Sequence, residues 1–327
     1  MKIIITGATG AFGGAMVRYF AKKGHDIIAT GRVETPPKEL LKLASYIQAD
    51  ITEPFELPEA DVIVHAAALS DDKASAKDLY IPNVIGTKNT VSAALNCGTF
   101  IFVSSSSVYL PQENVITEAA TENQNNKQLS PYGYSKFLSE EALKEVFTGE
   151  RCFILRPRAF YGPGDTKIMP RMMKLVKNDV FKRPGKMEIQ LSMTHYYNMA
   201  HAIECCFMSE HKGVRTYNVA DDEIYTMITT LRKLFNTIYG KTLDEKEISI
   251  QFLKALAVFK IGGLTPLLIR GLTQNMVLDI SKIQNELGYK SIITFEDSLA
   301  DIKDWIKNIG GPKAIEKPNS NLNWQHL

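Results

Sequence analysis

Residues 2–14 read KIIITGATGAFGG, and this stretch decides what the rest of the chain can be. Its apolar start, Lys2–Ile5, predicts a short buried strand, and the residues after it predict an amphipathic helix that ends near Lys23. Between them lie three glycines at regular intervals: Gly7, Gly10 and Gly13. This spacing suits a turn in which the backbone approaches a pyrophosphate at a helix N-terminus. A plain strand-to-helix turn without a ligand is the alternative, and the sequence that follows favours dinucleotide binding.

The composition is that of a globular protein with a substantial core. The chain has 327 residues, of which 45% are hydrophobic and 23% charged, and its net charge of +2 does not indicate nucleic-acid binding. A start directly on a strand predicts no signal peptide. The chain lacks a run of about 20 apolar residues, so no membrane span is expected. Basic residues interrupt the nearest approach to such a run, 252–272, and peripheral membrane contact stays open.

The cysteines show neither a CxxC pair nor the spacing of a metal site: Cys97, Cys152, Cys205 and Cys206. Thiols beside apolar runs predict buried, reduced cysteines and a cytoplasmic location. Histidines that could suggest a metal site lack an accompanying cluster of carboxylates or cysteines: His65, His195 and His201. We therefore expect no metal, and the absence of a Gly-x-Ser-x-Gly motif argues against serine hydrolysis.

Short apolar strands alternate with helical stretches in the first half of the chain. The predicted strands are Lys2–Ile5, Asp26–Thr30, Tyr46–Ala49, Ala60–His65, Thr99–Ser104 and Cys152–Arg156. This alternation predicts an α/β fold with a doubly wound parallel sheet. After Gly164 the pattern changes, with a helix predicted over 168–180. We expect a dinucleotide-binding domain over 1–164, to which about 192–221 return, and a smaller C-terminal substrate-binding lobe over 165–327.

The predicted second strand ends at Gly31 and Arg32, where dinucleotide-binding folds meet the adenosine ribose. An acidic residue at this place binds the ribose 2′-hydroxyl, whereas a basic residue accommodates a 2′-phosphate. Gly31 stands where the acid is expected, and Arg32 would attract a phosphate. The sequence therefore favours NADP over NAD, with a solvated Arg32 and bound NAD as the alternative.

Tyr132 and Lys136 are four residues apart on a helix predicted to run from Ser130 to about Phe147, so they share one face. An unperturbed phenol has a pKa near 10, and a neighbouring ammonium favours the phenolate. Tyr132 could then act as general base on an alcohol or as general acid on a carbonyl. Tyr-x-x-x-Lys alone is common, but it gains weight after a strand that ends in serines.

Together with the glycine turn, these residues resemble the extended short-chain dehydrogenase/reductase family. This family includes nucleotide-sugar epimerases, dehydratases and 3β-hydroxysteroid dehydrogenases. The matching motifs are TGATGAFG at 6–13, Asp50-Ile51, His65-Ala66-Ala67, Asn83-Val84-x-Gly86-Thr87, Ser104–Tyr109, Tyr132–Lys136, LRPRAFYGPGD at 155–165, Asp279–Lys282, Glu286–Tyr289 and Trp305. The resemblance extends over almost the whole chain and implies an NAD(P)-binding Rossmann fold and an enzyme.

The resemblance implies that Tyr132 is the acid/base and that Lys136 activates it and binds the nicotinamide ribose. It makes Ser105 the catalytic serine, with Ser104 and Ser106 as alternatives. Asn83 would brace the active site. The residues expected to contact the cofactor are Gly7, Thr9, Gly10, Ala11, Phe12, Gly13, Arg32, Asp50, Ile51, Ala66, Ala67, Ala68, Asn83, Ser104, Tyr132, Lys136, Pro157 and Arg158.

The substrate is less well determined by the resemblance. Nucleotide-sugar members carry Asn after the sixth strand, where it binds the diphosphate, and this chain has Ala159 there. The Arg-Pro start of that segment and the apolar helix pair over 252–272 resemble the 3β-hydroxysteroid dehydrogenase and 4-reductase branch. Arg158 and other basic residues leave an anionic substrate open. Candidate substrate contacts are Leu69, Ser106, Ala159, Lys167 and Arg171.

We therefore predict a cytoplasmic NADP-dependent oxidoreductase that interconverts a secondary alcohol and a ketone on a small molecule. Two alternatives stay open: a nucleotide-sugar epimerase or dehydratase with tightly bound NAD(P), and a dinucleotide-sensing regulator without turnover. The resemblance also implies a homodimer formed through the predicted helices at 72–97 and 130–147.

Overall fold

A seven-stranded parallel sheet is the centre of the protein. The computed structural model describes residues 1–71, 74–112, 115–122, 124–258, 266–316 and 324, with the side chains of 266–268 excepted. The strands are β1 (Lys2–Thr6), β2 (Asp26–Gly31), β3 (Ser45–Gln48), β4 (Ala60–His65), β5 (Cys97–Val103), β6 (Arg151–Pro157), β7 (Phe160–Tyr161), β8 (Val176–Lys177), β9 (Val180–Pro184), β10 (Gln190–Leu191), β11 (Thr194–His195), β12 (Gly213–Val219), β13 (Tyr225–Thr226) and β14 (Asp244–Ile248).

Helices connect the strands and cover the sheet. They are α1 (Ala11–Lys22), α2 (Lys38–Leu41), α3 (Ala76–Tyr80), α4 (Gly86–Ala93), α5 (Pro131–Val146), α6 (Met169–Met173), α7 (Tyr196–Met208), α8 (Met227–Tyr239), α9 (Ile250–Val258), α10 (Pro266–Thr273), α11 (Ser281–Leu287), α12 (Phe295–Asn308) and α13 (Pro312–Glu316). A π-helix, Ile81–Ile85, joins α3 to α4. The centre of the predicted helix pair at 252–272, residues 259–265, lies outside the described residues.

The strand order in the large sheet is β12-β6-β5-β4-β1-β2-β3, and every neighbouring pair is parallel. This confirms the predicted doubly wound fold. The order reverses between β1 and β4, and ligands of such sheets bind outside the carboxyl ends of the strands at that switch point. β12 joins the sheet through β6, although it follows the segment in which the sequence pattern changes. The domain boundary at residue 164 stays a prediction.

Both faces of the sheet are buried, because successive side chains of a strand point to opposite sides. Ile3 and Ile5 pack with residues of α1 and α7 in one apolar cluster. Ile4 packs with residues of α4 and α5 in a second cluster on the other face. Burial on two faces accounts for the continuous apolar runs of these strands, and it fixes their carboxyl ends along one edge.

The glycine turn after β1 is as tight as the sequence requires. Gly7 adopts a left-handed conformation with φ of 68°, and a Cβ there would lie 2.8 Å from Cα of Ala67. A Cβ at Gly13 would lie 2.3 Å from the carbonyl oxygen of Gly7. The turn, the start of α1 and the segment after β4 therefore touch one another through backbone atoms.

The C-terminal part of the chain has its own apolar cluster. Buried residues from α6, α8 and α12 pack together in it, with Trp305 2% exposed at its centre. A small sheet with the order β14-β9-β8 lies beside this cluster. The helix predicted over 168–180 is correct only in its first part, because α6 ends at Met173 and a hairpin of β8 and β9 follows.

Trp324 belongs to a different apolar cluster, the one that contains Ile3 and Ile5, and packs against α1. It is 3% exposed, and a Cβ at Gly14 would lie 2.9 Å from Cζ2 of its ring. The guanidinium carbon of Arg18 lies 5.1 Å from the ring centroid, within cation–π range. The absence of a side chain at Gly14 therefore makes room for an indole from the other end of the sequence.

Alanine substitutions at two helical glycines test the close packing of the turn. We expect Gly13→Ala to lower the free energy of unfolding by about 1–3 kcal/mol, since its Cβ would overlap Gly7. Gly271→Ala in α10 is the matched control, because a Cβ at Gly271 would meet no atom of the described residues within 4 Å. That substitution should raise stability by about 0.5–1 kcal/mol. Urea denaturation measures both; equal changes would contradict the packing argument.

Candidate active site

The first turns of α5 carry the proposed acid/base, Tyr132, and its lysine. Ser130 caps the helix by accepting a hydrogen bond from N–H of Gly133 at 3.0 Å, and Pro131 occupies the first helical position. Lys136, one turn further on, is 3% exposed, and its Nζ donates to the carbonyl oxygen of Val103 at 2.9 Å. Since Val103 is the last residue of β5, the lysine is held at the carboxyl end of the sheet.

The environment of Lys136 makes its charge easy to lose. Burial lowers the pKa of Lys136 to about 8, although the Glu140 carboxylate one turn away acts in the opposite direction. Its ammonium also lies 4.7 Å from the ring centroid of Phe102. A lysine with a pKa close to neutral pH can act in proton transfer as well as through its charge.

The serines after β5 differ in what their hydroxyls do. Ser104 is buried, and its Oγ donates to Oε1 of Glu140 at 2.5 Å. Ser105 Oγ caps a short 3₁₀ turn by accepting from N–H of Ser107 at 3.1 Å. Ser106 is 2% exposed. The hydroxyl of Ser104 is thus held by a buried carboxylate, whereas that of Ser105 donates to Oγ of Ser107 at 3.0 Å in a turn at the edge of the sheet.

The serine turn packs directly on the helix that carries Tyr132. A Cβ at Gly133 would lie 2.1 Å from the carbonyl oxygen of Ser107, so only glycine fits at this contact. The first turn of α5, which carries Tyr132, therefore lies against the serine turn that contains Ser105, and Lys136 is bound to the end of β5. The motifs predict that Ser105, Tyr132 and Lys136 act together.

A buried ion pair fixes the orientation of α5. Arg156 donates from Nε and Nη2 to the two carboxylate oxygens of Glu140, at 2.9 and 2.5 Å. Burial opposes the charge of Arg156, but Glu140 outweighs it and raises the pKa of the guanidinium. Nη1 of Arg156 donates to the hydroxyl of Tyr109 at 2.8 Å and to the carbonyl oxygen of Glu118. Sequence reasoning missed this pair, although Glu140 lies one turn from Lys136 on the same helix face.

Asn83 links the segment after β4 to α5. It lies in the π-helix, a feature that occurs often at functional sites, and is 2% exposed. Its Oδ1 accepts from N–H of Leu69 at 2.7 Å, and its Nδ2 donates to the carbonyl oxygen of Leu69 and to Oγ of Ser135. Ser135 Oγ donates in turn to the carbonyl oxygen of Tyr132 at 2.8 Å. The amide therefore holds Leu69 and the first turn of α5 at a fixed separation.

His65, the last residue of β4, extends this hydrogen-bonded chain to the glycine turn. Thr87 gives its single hydroxyl proton to the carbonyl oxygen of Asn83, so it accepts from Nε2 of His65 at 3.2 Å. Nδ1 of His65 is then the acceptor for the hydroxyl of Thr6 at 2.9 Å. Burial lowers the pKa of His65 to about 3, and the charge of Lys136 adds to the effect. The ring is neutral, and one tautomer fits its partners.

Thr6 also shapes the segment where the cofactor is expected to lie close. Its Oγ1 accepts from N–H of Ala66 and from N–H of Ala67, each at 3.1 Å. These bonds hold the start of the segment that includes Ala68 against the end of β1. The motif alone did not predict this role for the hydroxyl of Thr6.

The other end of the crevice contains the residues expected at the adenosine. Arg32 is exposed, directly after β2, and Asp50 lies near enough for the Arg32 charge to affect it. Hydrogen bonds from N–H of Thr52, and then its hydroxyl, lower the pKa of Asp50. Ile51 is buried, and its carbonyl oxygen accepts from Nδ2 of Asn89.

Gly31 lies close to side chains that a larger residue would crowd. A Cβ at Gly31 would lie 3.0 Å from the hydroxyl of Tyr46 and 3.2 Å from Oγ1 of Thr9. The Tyr46 hydroxyl is itself fixed, because it donates to the carbonyl oxygen of Val33 at 2.8 Å. A side chain at this position would require Tyr46 and Thr9 to give way by a few tenths of an ångström, which disfavours a carboxylate here.

The backbone after β6 is strained. Ala159 follows Pro157 and Arg158 and has a φ of 44°, in the left-handed region that non-glycine residues rarely adopt. Oγ1 of Thr194 accepts from N–H of Arg158 at 3.1 Å and donates to the carbonyl oxygen of Val219. Strain of this kind occurs mainly at binding and catalytic sites. The ring of Phe160 then stacks on Phe12 of the glycine turn, with centroids 4.6 Å apart.

The two remaining substrate candidates lie beyond this segment. Nζ of Lys167 donates to the carbonyl oxygen of Ser70 at 3.3 Å, so it crosses from the C-terminal part of the chain to the segment after β4. Arg171 lies in α6, close enough to Asp165 to favour the charged carboxylate. Asp165 is buried and accepts from the backbone of the turn before α6, which makes it part of the fold.

The glycine turn fits a dinucleotide by its own geometry. A Cβ at Gly10 would meet one atom, the carbonyl oxygen of Gly7 at 3.3 Å, so the space above it is otherwise open in the described structure. α1 begins at Ala11 without a side-chain hydrogen bond at its N-cap, Gly10. Free N–H groups and the positive end of a helix dipole form an anion site of the kind that binds pyrophosphate.

Two further properties concern the described residues alone. They contain no group of three or more histidine, cysteine, aspartate or glutamate side chains that could hold a metal ion. Among the helices that the structure describes, none has both the length and the apolar character needed to cross a membrane.

Comparison with known proteins agrees with this geometry. The family model described as NAD dependent epimerase/dehydratase matches residues 3–220. The protein YbjS of Escherichia coli K12, which is uncharacterised, is 26% identical and aligns with 95% of this chain and 99% of its own length. A 2-alkyl-3-oxoalkanoate reductase of Stenotrophomonas maltophilia is 23% identical over 93% of this chain and 98% of its own.

A solved structure shares the fold over nearly the whole chain. The crystal structure of UDP-glucuronic acid 4-epimerase from Bacillus cereus in complex with NAD superposes with a TM-score of 0.74. The superposed region covers 97% of this chain and 100% of the epimerase chain, at 20% sequence identity. This likeness confirms the Rossmann-type architecture.

Buried neutral histidines make stability depend on pH. The pKa of His65 is about 3 and burial lowers the pKa of His195 to about 4, both below the ordinary value near 6.5. Stability from each is full above pH 6.5 and is lost as pH falls toward the folded pKa. From about pH 7.5 to about pH 5.5 each histidine should cost about 1.4 kcal/mol of unfolding free energy.

Urea denaturation at the two pH values measures this cost in the native protein and in a His65→Asn variant. We expect the variant to lose about 1.4 kcal/mol less than the native protein over the same interval. Equal pH dependence of the two proteins would show that His65 is not the buried neutral group inferred from its partners.

Proposed function

Because the chain belongs to the NAD dependent epimerase/dehydratase family, we propose that it is an NADP-dependent oxidoreductase that interconverts a secondary alcohol and a ketone. Family membership makes it an enzyme of the extended short-chain dehydrogenase/reductase type, not a sensor without turnover. The observation that carries the proposal is the buried Lys136, fixed to the end of β5 beside the serine turn and one helical turn from Tyr132.

The glycine turn and the N-terminus of α1 would hold the pyrophosphate of the cofactor, and the small residues after β4 would lie against it. When bound, the dinucleotide supplies or accepts the hydride. Lys136 would bind the ribose next to the nicotinamide, and the backbone of Pro157 and Arg158 would meet the carboxamide. These assignments rest on the fold position of each residue and on the open space above Gly10.

The remaining chemistry is proton transfer by the chain's own residues. Tyr132 donates a proton to the carbonyl oxygen during reduction and accepts it from the alcohol during oxidation. The Lys136 ammonium favours the phenolate that this exchange requires. Ser105 would donate a hydrogen bond to the same substrate oxygen by turning its hydroxyl away from Oγ of Ser107, whereas the hydroxyl of Ser104 is held by the buried carboxylate of Glu140. Asn83 and Ser135 hold the turn of α5 on which Tyr132 lies.

The preference for NADP rests on Gly31 and Arg32. An acid that would bind the ribose hydroxyl of NAD is disfavoured at Gly31, where its Cβ would crowd the hydroxyl of Tyr46. Arg32 is exposed beside this point, and a guanidinium binds a phosphate with paired, charge-assisted hydrogen bonds. Asp50 is the nearby carboxylate that would compete for the same guanidinium.

Reduction of a ketone is supported by the reductase from Stenotrophomonas maltophilia, whose name gives a 3-oxoalkanoate as its substrate. We propose that residues 165–327 form most of the substrate-binding lobe, which the chain enters after Ala159. A homodimer and a cytoplasmic location remain part of the proposal.

Epimerisation or dehydration of a nucleotide sugar is the second candidate. The basic residues near the site, Arg158, Lys167 and Arg171, favour it, because they could neutralise a diphosphate. Ala159 weighs against it, since the resemblance places the diphosphate-binding Asn at that position. The left-handed backbone there suits Asn better than Ala, so the conformation is retained while the amide is lost.

Removal of one hydroxyl tests the acid/base assignment. We expect Tyr132→Phe to lower kcat for NADPH-dependent ketone reduction by about 10²–10⁴-fold, because no group then protonates the substrate oxygen. The affinity for NADPH, measured by fluorescence titration, should change little. Tyr134→Phe is the matched control. Tyr134 lies two residues after Tyr132 on the same helix, and its ring stacks on Phe137. Full turnover by Tyr132→Phe would reject the assignment.

Cofactor preference tests the role of Arg32. Loss of a charge-assisted contact worth about 1.5–3 kcal/mol should raise the Kd for NADPH about 10–100-fold in Arg32→Ala and leave the Kd for NADH unchanged. Lys42→Ala, which removes another exposed cation near the start of β3, should affect neither value. An equal loss of affinity for both cofactors would mean that Arg32 does not recognise the 2′-phosphate.

A further inference from the structure

Arg158 has a guanidinium that the described protein does not pair. Its Nε is enclosed by protein and has no hydrogen-bond partner among the described residues. The backbone of Arg158 is held separately, because its N–H donates to Oγ1 of Thr194 at 3.1 Å. Burial lowers the pKa of Arg158 to about 10, with no neighbouring charge acting in the other direction. A guanidinium in such surroundings is costly to the fold unless something compensates it.

Arg156, two residues earlier on the same strand, shows what a structural arginine looks like here. It is 3% exposed, and its charge is matched by the two oxygens of Glu140. The acids buried among the described residues are Glu140, Asp165 and Asp221. Asp165 binds backbone N–H groups, and Asp221 accepts from the hydroxyls of two tyrosines and from an asparagine amide. None of them is available to Arg158.

The position of Arg158 places this unpaired charge near the proposed chemistry. β5 ends at Val103, which pairs with Leu155, whereas β6 continues beside β12 to Pro157, so Arg158 is the first residue after β6 and lies at the same edge of the sheet as the serine turn. The ends of β5 and β6 are one strand spacing apart, roughly 5 Å, and Ser105 and Arg158 each follow one of these ends within two residues. The glycine turn follows β1, which is three strands away and roughly 14 Å across. The strained Ala159 comes immediately after Arg158.

We propose that the Arg158 guanidinium binds an oxyanion of the substrate, so that the site takes ketones or alcohols that carry a carboxylate or phosphate near the reacting carbon. This proposal rests on the proposed function, which gives the reaction, and adds that the substrate is an anion. The shared chemistry is a paired contact between guanidinium and oxyanion. The substrate supplies the anion in this proposal, and the experiment separates it from a phosphate of the cofactor.

The first measurement needs no substrate. Arg158→Met removes an unpaired enclosed charge and keeps much of the volume, so the unliganded variant should melt at the same temperature as the native protein or a few degrees above it. Arg156→Met is the matched control and should melt far lower, because it leaves Glu140 buried without its partner. A large loss of Tm in Arg158→Met would make Arg158 a structural residue and overturn the proposal.

The second measurement compares 3-oxooctanoate with its methyl ester, which differ in one charge. Binding to the protein saturated with NADP⁺ is followed by calorimetry, and turnover with NADPH by absorbance. The native protein should prefer the acid at least tenfold, in Kd and in kcat/KM. Arg158→Met should lose this preference, and Arg158→Lys should retain part of it. NADPH should bind the native protein and all Arg158 variants with similar Kd.

The outcomes separate the two proposals. Turnover of acid and ester at equal efficiency, or no preferential binding of the acid, overturns the role of Arg158 and leaves the proposed reaction intact. Tight binding of the acid without any turnover supports Arg158 and counts against the proposed reaction. A loss of NADPH affinity in Arg158→Met as large as the loss for the acid would assign the oxyanion to the cofactor and overturn the proposal.

Discussion

The buried pair of Glu140 and Arg156 is the interaction on which the active-site geometry depends. It joins the middle of α5 to the end of β6, and through Ser104 it also includes the end of β5. The hydroxyl of Tyr109 extends it to Asn218 on β12. An ion pair of this kind contributes little net stability but is very costly to break. Its effect here is geometric, because α5 cannot rotate without separating the charges.

A chain of uncharged hydrogen bonds performs the same task on the other side of α5. It begins at Thr6 in the glycine motif, passes through His65 and Thr87, and ends at Asn83 and the first turn of α5. Each donor in this chain has one acceptor that fits, so the direction of every hydrogen bond in it is determined. The cofactor crevice and the tyrosine helix are thereby held by two separate networks, one charged and one neutral.

Sequence reasoning predicted the parallel sheet, because apolar runs buried on two faces are distinctive, and it located the glycine turn, Tyr132 and Lys136. It failed at 168–180, where Asn178 and Asp179 adopt φ values of 52° and 59° and form the turn between β8 and β9. Two adjacent residues of this type are typical of a hairpin, and the apolar periodicity obscured them. The contrast between Arg156 and Arg158 was equally hidden, since a pairing across the fold leaves no local pattern in the sequence.

The packing of Trp324 against Gly14 gives the protein a built-in optical probe of its nucleotide-binding half. The chain contains two tryptophans, and the other, Trp305, lies in the apolar cluster of the C-terminal part. Reduced nicotinamide absorbs light at the wavelengths where indole emits. The extent to which the emission of Trp324 or of Trp305 is quenched would therefore distinguish binding beside α1 from binding near the C-terminal cluster, without any attached label.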